Sequence, residues 1–167
     1  MPLEGPVPDP VKENPVFQAI DTRFSDAIIE VTHKLNETGL VLNSSALGGI
    51  ATALKNEFGF ERLSSVTAVD WWPKKPRFEV VYHLHSIRNN RRVRLKLRVD
   101  EGQEIDSVTH IWTTANWYER EVFDLFGISF RNHPNLERIM MPADWEGHPL
   151  RKDYPVHGYK YSYAEEA

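Results

Sequence analysis

The chain has 167 residues, 41% of them hydrophobic and 26% charged, with a net charge of −4. That size and balance suit one globular domain with a real core plus tails, and the acidic sum argues against a general nucleic-acid binder. The absence of cysteine excludes disulfides, thiolate zinc sites, cysteine nucleophiles and cysteine-ligated iron–sulfur clusters here. No run approaches the roughly 18 apolar residues of a membrane-spanning helix.

In chain order, "MPLEGPVPDPVKENP" comes first, acidic and holding five of the eleven prolines. It is unlike a signal peptide and reads as a flexible or partner-bound arm over residues 1–15. Asn14–Phe24 has the pattern of a short helix. In "AIIEVTHKLNETGLVLN", alternating residues flank a polar turn around Asn36–Gly39, which predicts a hairpin. Leu47, Ile50, Leu54 and Phe58 then recur at helical spacing, with Ser44 or Ser45 placed to cap the helix and Gly59 to end it. The pair Gly48–Gly49 lacks the lysine and spacing of a phosphate-binding loop.

From Glu61 to Val99 the periodicity is that of strands. If Asn89–Asn90 form a tight turn, "RFEVVYHLHS" and "RRVRLKLRVD" pair with Val80 opposite Val99, Tyr82 opposite Leu97 and Leu84 opposite Leu95. The other face then sets Val81 against Arg98, His83 against Lys96 and His85 against Arg94. An H-x-H pair can chelate a metal, but cations across the strand would repel one, so a structural role is favoured for both histidines. Arg88–Arg98 carries six cations, and without them 14 basic residues face 24 acidic ones. Arg92, Arg94, Lys96 and Arg98 therefore form either a solvated sheet face or a docking face for an acidic partner. Nucleic acid ranks third, because no aromatic residues interleave.

"WYEREVFDLFG" predicts a second helix, with Tyr118, Val122, Leu125 and Phe126 apolar and Gly127 as its stop. Glu119 and Glu121 point in different directions on it, which disfavours a catalytic pair, whereas Arg120 and Asp124 are spaced to pair. After Gly127 periodicity is lost, yet the segment holds Phe130, Leu136, Ile139, Met140, Met141, Trp145 and Leu150. An irregular stretch this apolar must press onto something, and an arm that wraps a partner is the expected answer.

Residues 118–155, "YEREVFDLFGISFRNHPNLERIMMPADWEGHPLRKDYP", closely resemble the signature of the 30-kDa subunit family of respiratory complex I, the C subunit of NADH-quinone oxidoreductase. "TAVDW" and "VVYHL" upstream also look like that family. Glu137 departs from the basic residue common at its position, and His148 is similar to the bacterial NADH-linked branch. The resemblance implies a non-catalytic hydrophilic subunit of a proton-translocating NADH:quinone oxidoreductase, lying on the cytoplasmic side of a bacterial inner membrane. It implies no cofactor in this chain, with FMN, iron–sulfur clusters and quinone carried by partners. Those partners would be the large D-type subunit of the quinone cavity and the B-type subunit that holds the terminal cluster.

Element order and resemblance together predict an α+β fold. It is a small two-layer domain over residues 16–127, with a mainly antiparallel sheet and helices on one face. An extended irregular C-terminal arm follows over residues 128–167. The partner-interface residues implied by the signature are Glu119, Arg120, Glu121, Asp124, His133, Arg138, His148, Arg151, Lys152, Asp153 and Tyr154. The same scaffold role in a membrane-bound energy-converting hydrogenase is the alternative. A hydrolase using His133 or His148 is disfavoured, since both precede proline in irregular sequence and no nucleophile motif accompanies them.

Overall fold

Alternation of apolar and charged residues builds the central sheet. In the computed structural model, which describes residues 6–35 and 37–156, its strands are β1 (Ile28–Lys34), β2 (Glu37–Leu42), β3 (Arg62–Asp70), β4 (Phe78–Ser86) and β5 (Arg91–Val99). The spatial order is β1-β2-β5-β4-β3, antiparallel throughout except for the parallel pair β2–β5. The period-two set Phe78, Val80, Tyr82 and Leu84 of β4 lies beside Val93, Leu95, Leu97 and Val99 of β5, all buried.

Helices α1 (Asp9–Lys12), α2 (Pro15–Phe24), α3 (Leu47–Asn56) and α4 (Ala115–Phe126) contribute to the same core. Helical spacing brings Leu47, Ile50 and Leu54 of α3, and Val122 and Phe126 of α4, into it. The result is the expected two-layer α+β arrangement. The Asn14 side chain accepts from the Val16 N–H at 3.0 Å and caps α2. Ser44 and Ser45 form a short 3-10 turn (Ser44–Ala46) instead of capping α3.

Three expectations are corrected. The β4–β5 register is slipped by two residues, with Val80 opposite Leu97, Tyr82 opposite Leu95 and His83 opposite Arg94. The connection uses a four-residue turn, Ile87–Asn90, closed by the Asn90 N–H to the Ile87 carbonyl at 3.3 Å, with Asn90 at φ 47°. Because side chains alternate with period two, the slip changes partners but not faces. At the N-terminus, Val11 is only 1% exposed and Val7 packs on the core, so an arm over 1–15 is not separate from residue 7 onward; residues 1–5 lie outside the described residues.

The boundary expected after Gly127 also falls inside the core. Ile128 and Phe130 are buried, and β7 (Phe130–Arg131) pairs in parallel with β6 (Ile105–Asp106). Gly127 itself ends α4 at φ 74°, a left-handed conformation that glycine adopts without the penalty a Cβ brings. A Cβ there would stand 2.5 Å from both the Arg151 guanidinium and the His148 ring. Gly127→Ala should therefore cost about 1–3 kcal/mol, read as a lower urea midpoint; an unchanged midpoint would mean that this helix end does not organise the arm.

Candidate functional site

The segment read as a partner-wrapping arm is laid, as far as Asp153, on its own domain, and two carboxylates hold it there. The first is Asp70, buried at the end of β3. Arg77, buried at the entry to β4, grips it with two bonds, Nε to Oδ1 at 3.1 Å and Nη2 to Oδ2 at 2.9 Å. The same carboxylate accepts the backbone N–H groups of Trp72 and Lys152, each at 2.9 Å. Arg77 also donates to both oxygens of Asp153, at 3.0 and 2.5 Å, and to Glu101 at 3.2 Å.

Burial alone would raise the Asp70 pKa. The guanidinium and the two backbone donors outweigh it and hold the group down at about 2. The Arg77 hydrogen bonds likewise lower Asp153. Glu101 in turn pairs with Arg151. Arg77 and Arg151 both lie over the Phe78 ring, 4.9 and 5.5 Å from its centre.

The second carboxylate is Asp124 of α4, fully buried. It accepts from Arg138 at 2.9 Å and from the successive backbone N–H groups of Ile139, Met140 and Met141, at 2.9, 2.7 and 2.9 Å. Burial opposes ionisation here too, yet these donors lower its pKa. A few residues on, the arm caps the helix. The last carbonyls of α4 have no helical partner. The His148 Nδ1–H donates to Asp124 O at 2.9 Å, the Leu150 N–H to Leu125 O at 3.1 Å, and Arg151 Nε to Phe126 O at 2.6 Å. A guanidinium at a helix C-terminus also meets the negative end of its dipole.

Glu119 is buried as well, one turn earlier, and among the described residues no lysine or arginine pairs with it. Its oxygens accept from the Ser107 hydroxyl at 2.6 Å and the Val108 N–H at 2.9 Å. Burial raises its pKa to about 7 against those bonds. His133 Nε2 is 4.0 Å from it, but donates to Asn116 O at 3.1 Å while Nδ1 accepts the Asn135 N–H. Both ring nitrogens are thus engaged in the neutral form, and burial lowers this pKa and that of His148. The expected Arg120–Asp124 pair is absent: Arg120 donates to Glu137 O and stacks on Trp117 at 5.0 Å. Glu121 and the Lys152 side chain are exposed, and the Tyr154 hydroxyl donates to Glu146 O at 3.3 Å.

The basic ladder of β5 is matched by in-chain carboxylates. Arg92 and Arg94 approach Glu37, Lys96 binds Glu79 at 2.9 Å, and Arg98 reaches Glu30 and Glu79. These pairs tie β1, β2 and β4 to β5, so the face is not a bare cationic surface. His83 bonds the Ser65 hydroxyl at 3.0 Å, and burial with Arg94 opposite lowers its pKa. Among the described residues no group of three His, Cys, Asp or Glu could hold a metal ion.

Residues 40–160 match the family described as respiratory-chain NADH dehydrogenase, 30 Kd subunit. The chain belongs to that family. It is 46% identical over 151 residues to the C subunit of the NADH-quinone oxidoreductase of Geotalea uraniireducens, covering 90% of this chain and 92% of that one. The C subunit of a Roseiflexus species is 42% identical over 144 residues, 84% and 83% of the two chains. Among solved structures, a chain of an archaeal membrane-bound sulfane sulfur reductase, a respiratory membrane complex, superposes with a TM-score of 0.72. It is 26% identical over 84% of each chain.

The matched span contains every anchor of the arm. The signature residues Asp124, Arg138, His148, Arg151 and Asp153 converge at the end of α4 and the β3–β4 hairpin, whereas Glu119 and His133 sit one turn back. Asp70, Arg77 and Glu101 were missed by sequence reasoning. Their signal was an acid closing one strand and an arginine opening the next, across a proline-rich turn.

Arg77→Met should cost about 3–5 kcal/mol in urea unfolding, because it leaves the buried Asp70 carboxylate without its cation; a loss below about 1 kcal/mol would reduce the network to an ordinary surface pair. Glu119 gives the opposite pH signature from Asp70. Its raised pKa contributes stability that is complete below the ordinary value of 4.5 and is lost as pH rises through about 7. Relative to wild type, Glu119→Gln should therefore gain on the order of 3 kcal/mol between pH 4.5 and 8. Parallel pH profiles of the two proteins would show instead that Glu119 is ionised throughout.

Proposed function

We propose that this chain is a non-catalytic scaffold subunit of a proton-translocating NADH:quinone oxidoreductase. Family membership across most of the chain carries the reading. Relatives that match it nearly end to end bear the name of the C subunit of NADH-quinone oxidoreductase. The geometry supports it: the signature charges are engaged in holding an irregular arm in one shape, and His133 and His148 are tied to backbone groups. Such a chain offers a preorganised surface.

In this role the chain packs against the large D-type subunit of the quinone cavity and the B-type subunit of the terminal cluster. FMN, the iron–sulfur clusters and quinone belong to partners. The complex lies peripherally on the cytoplasmic face of a bacterial inner membrane. Among the described residues no helix is long and apolar enough to cross a membrane, in keeping with attachment through other subunits.

The sulfane sulfur reductase likeness favours a second reading, the equivalent scaffold in another membrane-bound electron-transfer complex such as an energy-converting hydrogenase. Identity of 46% against 26% puts the first reading ahead. Affinity purification of the tagged chain from gently solubilised native membranes separates them. A large assembly with flavin, iron–sulfur proteins and NADH:quinone reduction is expected. A hydrogenase set keeps the scaffold and changes the donor, and a lone 19.4 kDa protein overturns both.

A further inference from the structure

The most conspicuous unpaired surface lies at the tip of the β3–β4 hairpin. Trp71 and Trp72 are 43% and 48% exposed there, and Leu150 on the adjoining arm is 51% exposed. The tip and the arm adjoin there, because the Trp72 and Lys152 N–H groups bind the two oxygens of one buried carboxylate, Asp70. The tip is further closed by the Trp71 N–H to Arg77 O at 2.8 Å and the Lys74 N–H to Trp71 O at 2.9 Å. Pro73 and Pro76 restrict its backbone through their rings.

Three lysines frame the tryptophans. Lys74 lies over the Trp71 ring at 5.8 Å, and Lys75 and Lys152 are exposed. None of the three makes an ion pair among the described residues. The carboxylates beneath them, Asp70, Asp153 and Glu101, are already held by Arg77 and Arg151. The contrast with β5 is sharp, since Arg92, Arg94, Lys96 and Arg98 each have an in-chain acid.

We propose that this tip, with the adjoining turn of the arm, docks an acidic segment of a neighbouring subunit, which seats an apolar side chain against Trp71 and Trp72. Rigid, half-exposed tryptophans are the residues that dominate binding energy at interfaces, because they offer large area at small entropic cost. Lysines without an in-chain acid, as these are among the described residues, select an acidic partner and repel a basic one. An anionic membrane is the weaker occupant: three lysines fall short of the roughly four to eight basic residues of a lipid-recruiting cluster. The assignment rests on the chain being a subunit of a larger complex.

The test places a photoreactive benzoylphenylalanine at position 72 in the tagged full-length chain. The assembled complex is purified and irradiated, and the crosslinked peptides are identified by mass. A single partner peptide rich in Asp and Glu is expected, and the Lys74→Glu, Lys75→Glu double variant should lower its yield about tenfold. The probe at Ile87, exposed on the opposite hairpin tip, should not capture that peptide. Crosslinks to lipid, to a second copy, to a basic peptide or to nothing would overturn the docking assignment, as would a yield indifferent to charge reversal. Failure of the wild-type chain to co-purify with any partner would appear before irradiation. It would overturn the subunit reading, and the docking surface with it.

Discussion

The Arg77 guanidinium, enclosed between Asp70 and Asp153, is the interaction on which the placement of the C-terminal arm depends. Three stretches far apart in the chain meet at it, the β3–β4 hairpin, the turn at Glu101 and the arm at 151–153. Removing so many charges from water is costly, and an apolar cluster of equal volume would stabilise as well. A guanidinium, however, is directional. Its fixed fork donates to carboxylates near its own plane, so it specifies one path for the arm where apolar contacts would tolerate several. The backbone donors from Trp72 and Lys152 occupy the remaining capacity of Asp70, which leaves that carboxylate satisfied on every side.

The arm is ordered without regular structure because it completes structures that need partners. Its turn at 138–141 supplies three N–H groups to Asp124, and 148–151 supplies donors to the last carbonyls of α4. Helix and arm are therefore interdependent, since either alone would leave buried polar groups unpaired. The proline-rich composition then makes physical sense. A segment that donates its N–H groups outward, a few at a time, has no ladder for proline to interrupt.

The sheet and helices were legible in the sequence, since their periodicity survives errors of detail. The β4–β5 hairpin shows why. A mistaken turn length slipped every pair by two, yet Tyr82 remained on the core face and His83 on the charged one. The destination of the arm was not legible. Apolar residues in an irregular stretch announce burial, but they do not distinguish the chain's own helix from a neighbour's surface. The charges were ambiguous in the same way. Arg94 and Lys96 read as either a solvated or a docking face, because Glu37 and Glu79, on neighbouring strands, can be matched to them only once strand order is known. Asp153 and Arg77 are 76 residues apart, beyond any local rule.

Family membership and internal geometry bear on each other at this point. A subunit of a larger respiratory complex must present a constant surface to its neighbours, and here an irregular arm is held in one shape by charges bonded within the chain. Arg151 and the half-exposed Asp153 bind the domain, while Leu150 and Lys152, beside and between them, are exposed and their side chains make no bond to it among the described residues. A single thickness of chain laid over a domain cannot turn every side chain inward, so the residues that do not anchor it are the ones displayed. The residues that hold the arm down thus decide which residues a neighbour meets. A substitution at an inward anchor changes the outward surface without touching it, and damage to assembly from such a substitution is damage to preorganisation rather than loss of a direct contact.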